Sequence, residues 1–185
     1  MDAASEPVTL KGTREPLLLV ATGFFLTFLW NPVTCAIGMA GIALGMHDLR
    51  RSAAAAALGP LRALAASAGA TSALAWALSP WTPTFDIAAV SQASACIAAA
   101  TELATLARAG RGEATARWLS RVRWLAPLPY LALLSSSLVR PSSGTFVLMA
   151  AVVLQLALSL TLAVLALHVR SLALPYGRHA AGRSA

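Results

Sequence analysis

An all-α bundle embedded in a bilayer is the fold this sequence predicts, and three observations predict it. Hydrophobic residues make up 58% of the chain and charged ones 11%, with a mean hydropathy of +0.71; soluble domains carry roughly 25% charge. Thirteen of the fourteen Lys and Arg residues fall in four patches: Lys11 and Arg14, Arg50 to Arg62, Arg108 to Arg123, and Arg170 to Arg183. Between these patches the chain is apolar and broken by Pro-containing turns. Lipid cannot hydrogen-bond a bare backbone, so such stretches cross as helices, and basic patches mark the ends retained in the cytoplasm.

Six stretches meet this description: Leu17 to Trp30, Val33 to Leu49, Leu61 to Ser79, Phe85 to Ala107, Val122 to Val139, and Thr145 to Val169. They pair into three helical hairpins. Each outer turn has Pro followed by Thr: Pro32 and Thr34, then Pro80 to Thr84, then Pro141 to Thr145. Pro ends one helix there and Thr is placed to cap the next. Residues 1 to 185 form one membrane domain, with cytoplasmic tails at 1–15 and 171–185, thirteen basic residues inside and Arg140 outside.

The first hairpin strains this reading, because Pro16 to Arg50 is 35 residues for two crossings. At about 1.5 Å per residue each arm reaches roughly 25 Å, against a hydrocarbon core of about 30 Å. Local thinning or a shallow hairpin accommodates the shortfall. The alternative is a single long kinked helix, which gives five spans and moves Lys11 and Arg14 outside.

The loop from 108 to 124 reads differently from its flanks. In Glu113 to Leu125, Trp118, Val122 and Leu125 recur at helical spacing, while Glu113, Arg117 and Arg121 lie on a more polar side. That pattern suits a helix in the headgroup layer, anchored by Trp118 and Trp124, with Arg117, Arg121 and Arg123 facing anionic lipid or a docking partner. A solvated basic loop that enforces topology is the competing reading. Pro127 and Pro129 mark the bend into the fifth span.

Few residues promise chemistry. Glu102 is the one acidic residue well inside a predicted span, and burying a carboxylate there is costly. On a helix Ser91, Ala98, Glu102 and Thr105 share a side, so Ser91 and Thr105 join Glu102 as candidate ligand or ion contacts. Gln155 and Ser159, one turn apart in the last span, complete that set and are also suited to hydrogen bonds between helices. The competing reading has Glu102 snorkelling to the cytoplasmic surface or tied to a loop Arg. Gly41 and Gly45 on the second span, and Ala65, Gly69 and Ala73 on the third, form small faces for close helix packing or for an interface with another membrane protein.

The single cysteines Cys35 and Cys96 have no CxxC partner, and the three His residues show no metal-ligand spacing. Six spans put Cys35 near the outer face and Cys96 at mid-membrane, so no disulfide is expected. No phosphate-binding loop, dinucleotide fingerprint or nucleophile elbow is present, so no cofactor, metal or enzymatic activity is expected. The formal charge of +7 flanks apolar spans instead of forming one face of a soluble domain, which argues against nucleic acid as a partner.

In size and span count the chain resembles the substrate-binding components of vitamin uptake transporters, a likeness at the level of fold that assigns no function. The Arg-rich, Ala-rich composition points to a bacterial inner membrane. The expected role is a non-enzymatic subunit or regulatory component of a larger membrane assembly, whose partners are lipid and another membrane protein or a second copy. A small transporter or ion-binding protein using Glu102 is the alternative.

Overall fold

The structure is a computed structural model, and it describes residues 12–29, 31–52, 58–81, 85–136 and 141–172. Most of both predicted tails, the Thr82 to Thr84 stretch and Arg140 lie outside the described residues. The described residues form seven helices in order: α1 (Arg14–Thr27), α2 (Pro32–Leu49), α3 (Arg62–Leu78), α4 (Phe85–Ala109), α5 (Glu113–Val122), α6 (Leu128–Ser136) and α7 (Pro141–Leu172). No strand occurs among the described residues.

Among the described residues three helices are long and apolar enough to cross a membrane: α2, α4 over Asp86–Ala109, and α7 over Met149–Leu172. Large apolar side chains such as Phe25, Ile37, Leu44, Leu74, Val153 and Val164 point outward along the helices. In water they would form an aggregation-prone girdle, whereas lipid takes them at no cost.

Consecutive helices pack side by side from α1 to α4, and α7 closes back against α1; α5 and α6 fill the space between α4 and α7. The described members of the four basic patches are thereby gathered at one end. Arg14 begins α1 and lines a cleft with Arg170 near the end of α7. Gly45 of α2 packs on Pro16, Gly59 before α3 meets Glu102 near the end of α4, and Gly112 before α5 abuts Leu172.

The first two helices form an antiparallel hairpin, not one kinked helix. Its turn is short because Asn31, in extended conformation, caps α2 by accepting from the Val33 N–H at 2.9 Å, and Pro32 occupies the first turn where no N–H is needed. The cap is therefore Asn31 and not the expected Thr34, whose hydroxyl donates back to the Asn31 carbonyl at 3.0 Å. Pro141 to Thr145, expected as the third outer turn, is instead the start of α7, where Pro is tolerated because the first-turn N–H needs no partner.

The expected fifth span is interrupted. Val122 ends α5, residues 123–127 turn, and α6 covers nine residues around Pro129. Pro127 and Pro129 remove two N–H donors within three residues, which stops a continuous helix from α5 into α6.

Candidate functional site

Helix depth, counted from the basic end, organises the polar residues. Thr27, Cys35, Cys96 and Ser159 each lie thirteen or fourteen residues along their helices, about 20 Å from that end. They belong to one buried layer. The Thr27 hydroxyl is 2.8 Å from the Phe24 carbonyl and 3.2 Å from Ser159 Oγ, and Gln155 Nε2 donates to Ser159 Oγ at 3.0 Å. Tyr130 of α6 is buried in the same layer within electrostatic reach of Cys35 and Cys96; its hydroxyl lies beside Gln155 but falls short of hydrogen-bond geometry to any described partner. Both cysteines are free and buried. The expectation that Cys35 lies near the outer face and Cys96 deeper is thus corrected, because the short first hairpin turns back only about half of the way along α7.

Glu102 sits elsewhere, about 9 Å closer to the basic end than Cys96. It is 1% exposed, and its Oε2 accepts from the Gly59 N–H at 2.6 Å. The carboxyl thus clasps the segment entering α3 onto α4, and Gly59 suits this contact because a Cβ there would lie 3.0 Å from Oε1. A backbone N–H, not the expected headgroup exposure or loop Arg, is the contact that explains how Glu102 is held.

The expected companions of Glu102 are not gathered around it. Thr105 donates its hydroxyl to the Glu102 carbonyl at 2.6 Å, a bond within the helix. Ser91 shares the helix side but lies about 16 Å along the axis, where it donates to the Ile87 and Ala88 carbonyls. Gln155 and Ser159 belong to the layer of Thr27. Helical angle places residues on a side; only axial distance and the covering chain decide whether they meet.

The small residues pack the interior. Gly45 lies against the Pro16 carbonyl and Gly41 against that of Leu19, while Gly69 meets Ala43 and the Met39 carbonyl. Ala65 is fully buried and Ala73 partly so. Two further glycines, Gly23 and Gly38, face one another so closely that a Cβ on either would lie 2.5 to 2.6 Å from the other's carbonyl. Gly38 continues the Gly41 and Gly45 run one helical step earlier, a signal the sequence itself carries.

Ser72 donates to the Ala88 carbonyl at 3.1 Å and Trp76 Nε1 to Gln92 Oε1 at 2.7 Å, joining α3 to α4 on their buried side. On the outer side these helices diverge. A groove of about 590 Å³ opens there, lined by Leu64, Ser67, Ala68 and Thr71 of α3 and by Asp86, Ile87, Val90, Ser91 and Ser94 of α4. Ser67 and Ser94 donate to carbonyls of their own helices, so their hydroxyls are satisfied within the walls.

At the basic end α4 closes through Arg111, in the left-handed region at φ 61°, with the Gly112 N–H bonding the Ala107 carbonyl at 2.7 Å. α5 then runs across α4 and α7. Its buried face is Thr115, Ala116, Leu119 and Val122. Of the expected stripe of Trp118, Val122 and Leu125, Val122 packs inward, while Trp118 is 57% exposed and Leu125 43%, as is Trp124 at 66%. Arg121 stacks over Trp118 at 5.9 Å and Arg123 over Trp124 at 5.0 Å. Arg123 also donates to the Thr101 hydroxyl at 3.3 Å, and Arg117 is exposed.

Among the described residues no group of three His, Cys, Asp or Glu side chains is placed to hold a metal ion. Compared with known protein families, curated proteins and solved structures, the chain matches none.

Proposed function

We propose that the chain is a non-enzymatic subunit of a larger bacterial inner-membrane assembly and that the groove between α3 and α4 receives a transmembrane helix of a partner protein. The observation that carries this is the groove itself: Ser67, Ala68, Thr71, Ser91 and Ser94 form small positions between Leu64, Ile87 and Val90 along an outward opening. Small, hydroxyl-bearing walls let helix backbones approach closely, and packing is the main adhesive between helices in lipid. In this reading six segments lie within the bilayer as three hairpins, the first shallow and the fifth discontinuous. The basic end and both termini face the cytoplasm, and α5 lies along the headgroup layer with Trp118 and Trp124 outward.

Mild-detergent purification followed by mass measurement tests the role. A co-purifying membrane protein that is lost on Ser67→Leu with Ser94→Leu is the expected result, whereas a lone protomer from a native host, unaffected by those substitutions, rejects it. The second reading, a small transporter or ion-binding protein using Glu102, has the burial of that carboxyl in its favour. Against it stand the Gly59 clasp and the fact that neither described cavity is lined by Glu102. Solute uptake unchanged in Glu102→Gln eliminates that reading.

A further inference from the structure

The basic end carries a second cavity, of about 300 Å³, lined by Arg14 at the start of α1 and by Leu167, Arg170 and Ser171 near the end of α7. Arg14 and Arg170 share it, and no carboxylate lines it among the described residues. Neither makes an ion pair or a side-chain hydrogen bond among the described residues, and Arg170 Nε is shielded from solvent with no partner. Glu15, next to Arg14, is exposed and does not line the cavity. A shielded guanidinium nitrogen with nothing to donate to is costly, and a planar fork of donors matches the oxygens of a phosphate.

Position selects the kind of phosphate. α7 has 32 residues, about 48 Å of helix, longer than a hydrocarbon core of about 30 Å, so its last turns reach headgroup depth. Within the cavity Leu167 lies one turn deeper than Arg170 and Ser171, at 44% exposure. An apolar wall on the membrane side and basic groups on the aqueous side fit a molecule that is itself apolar below and anionic above. The first turn of α1 adds a weaker attraction: Thr13 gives it no side-chain cap, and its backbone N–H groups carry the positive end of the helix dipole to the same place.

We infer that the cleft between the start of α1 and the end of α7 binds the headgroup phosphate of an anionic phospholipid, tying the first and last helices together at the membrane surface. This rests on the membrane reading above. It is independent of the partner proposed for the α3–α4 groove, and it is distinct from the general attraction of lipid to α5, whose arginines stack on exposed tryptophans instead of lining a cavity.

The test begins with alkaline carbonate treatment of host membranes. Release of the chain there overturns the membrane reading itself. Retained protein is then purified in neutral detergent, delipidated and titrated by native mass spectrometry with phosphatidylglycerol, phosphatidylcholine or inorganic phosphate. Phosphatidylglycerol is expected to bind in preference to phosphatidylcholine, with Arg14→Gln and Arg170→Gln each weakening it about fivefold. Arg117→Gln with Arg121→Gln is expected to leave that preference in place. Equal affinity for the two lipids overturns the inference. So does a preference that survives both cleft substitutions, or one lost only in the α5 variant. Inorganic phosphate binding as tightly as phosphatidylglycerol assigns the site to free phosphate and overturns the lipid reading. Arg14 is exposed and makes no contact that folding needs, so Arg14→Gln keeps the test decisive if Arg170→Gln fails to fold, with circular dichroism as the check.

Discussion

The α1–α2 seam and the α3–α4 seam both join helices that run in opposite directions, and they do so by different means. Along α1–α2 the chain removes side chains: Gly23 faces Gly38, Gly41 faces the Leu19 carbonyl and Gly45 the Pro16 carbonyl, so backbone meets backbone along the whole hairpin. Along α3–α4 it inserts polar side chains instead, with Gly59 bonded to Glu102, Ser72 to Ala88 and Trp76 to Gln92. In the membrane reading proposed above, lipid is as apolar as any side chain, so neither seam gains from the hydrophobic effect. The first relies on dispersion between atoms in close contact, which is large only in sum and vanishes with small gaps. The second relies on a few directed bonds and tolerates space between the helices, and that tolerance is what leaves the outer groove open. A seam without slack suits a fixed core, and a seam with slack suits a surface that receives something.

This contrast breaks most readily at Gly23. Gly23→Ala places a methyl 2.5 Å from the Gly38 carbonyl and 2.9 Å from the Ile42 nitrogen, backbone atoms that cannot rotate away. A loss of about 3 kcal/mol or outright failure to fold is expected, read by reversible unfolding in mixed micelles. Gly41→Ala on the same seam meets only ordinary contact at 3.4 Å and is expected to change stability little. Equal tolerance of both substitutions would show that the seam is not close-packed.

The polar seam is sharpened at Glu102. Glu102→Ala leaves the Gly59 N–H without its acceptor, at a cost of about 1–3 kcal/mol, while Glu102→Gln keeps an amide oxygen in place and is expected to cost well under half as much. Hydrogen exchange at the Gly59 amide reports this bond directly. Rapid exchange in the wild-type chain would remove the clasp from the description of the fold.

The smallest effect belongs to Trp76 and Gln92. A double-mutant cycle with Trp76→Phe and Gln92→Leu is expected to give a coupling of about 0.6 kcal/mol, the average for a hydrogen bond between membrane helices. Coupling near zero would mean that α3 and α4 are held by Ser72, the Gly59 clasp and side-chain packing alone.

Much of the helix plan is legible in the amino-acid sequence. Four of the six expected helices coincide with α1 to α4 within three residues at either end, apart from Trp30, which is not described. The last is α7 extended by four residues at its start and three at its end. The fifth is overextended in the sequence reading because its apolar composition continues through Pro127 and Pro129, and composition does not register a missing donor. α5 is helical, as the first of the two readings of the basic loop requires, but its spacing alone did not tell that Thr115, Ala116, Leu119 and Val122 are the face covered by the bundle. Around Glu102 the helical wheel names the right side and the wrong companions, since it contains no axial distance.

By itself the sequence determined the helical class, the alternation of direction and the gathering of the basic patches at one end. Those follow from backbone hydrogen bonding, Pro and charge, which act within one helix or turn. Only the tertiary structure decided that Glu102 clasps Gly59, that Thr27, Gln155 and Ser159 meet while Ser91 stands apart, that Arg14 and Arg170 share a cleft, and that α3 and α4 part on their outer side. Each of these depends on how far one helix is shifted along another. That shift is set by the summed shape of many small contacts, which no local pattern encodes.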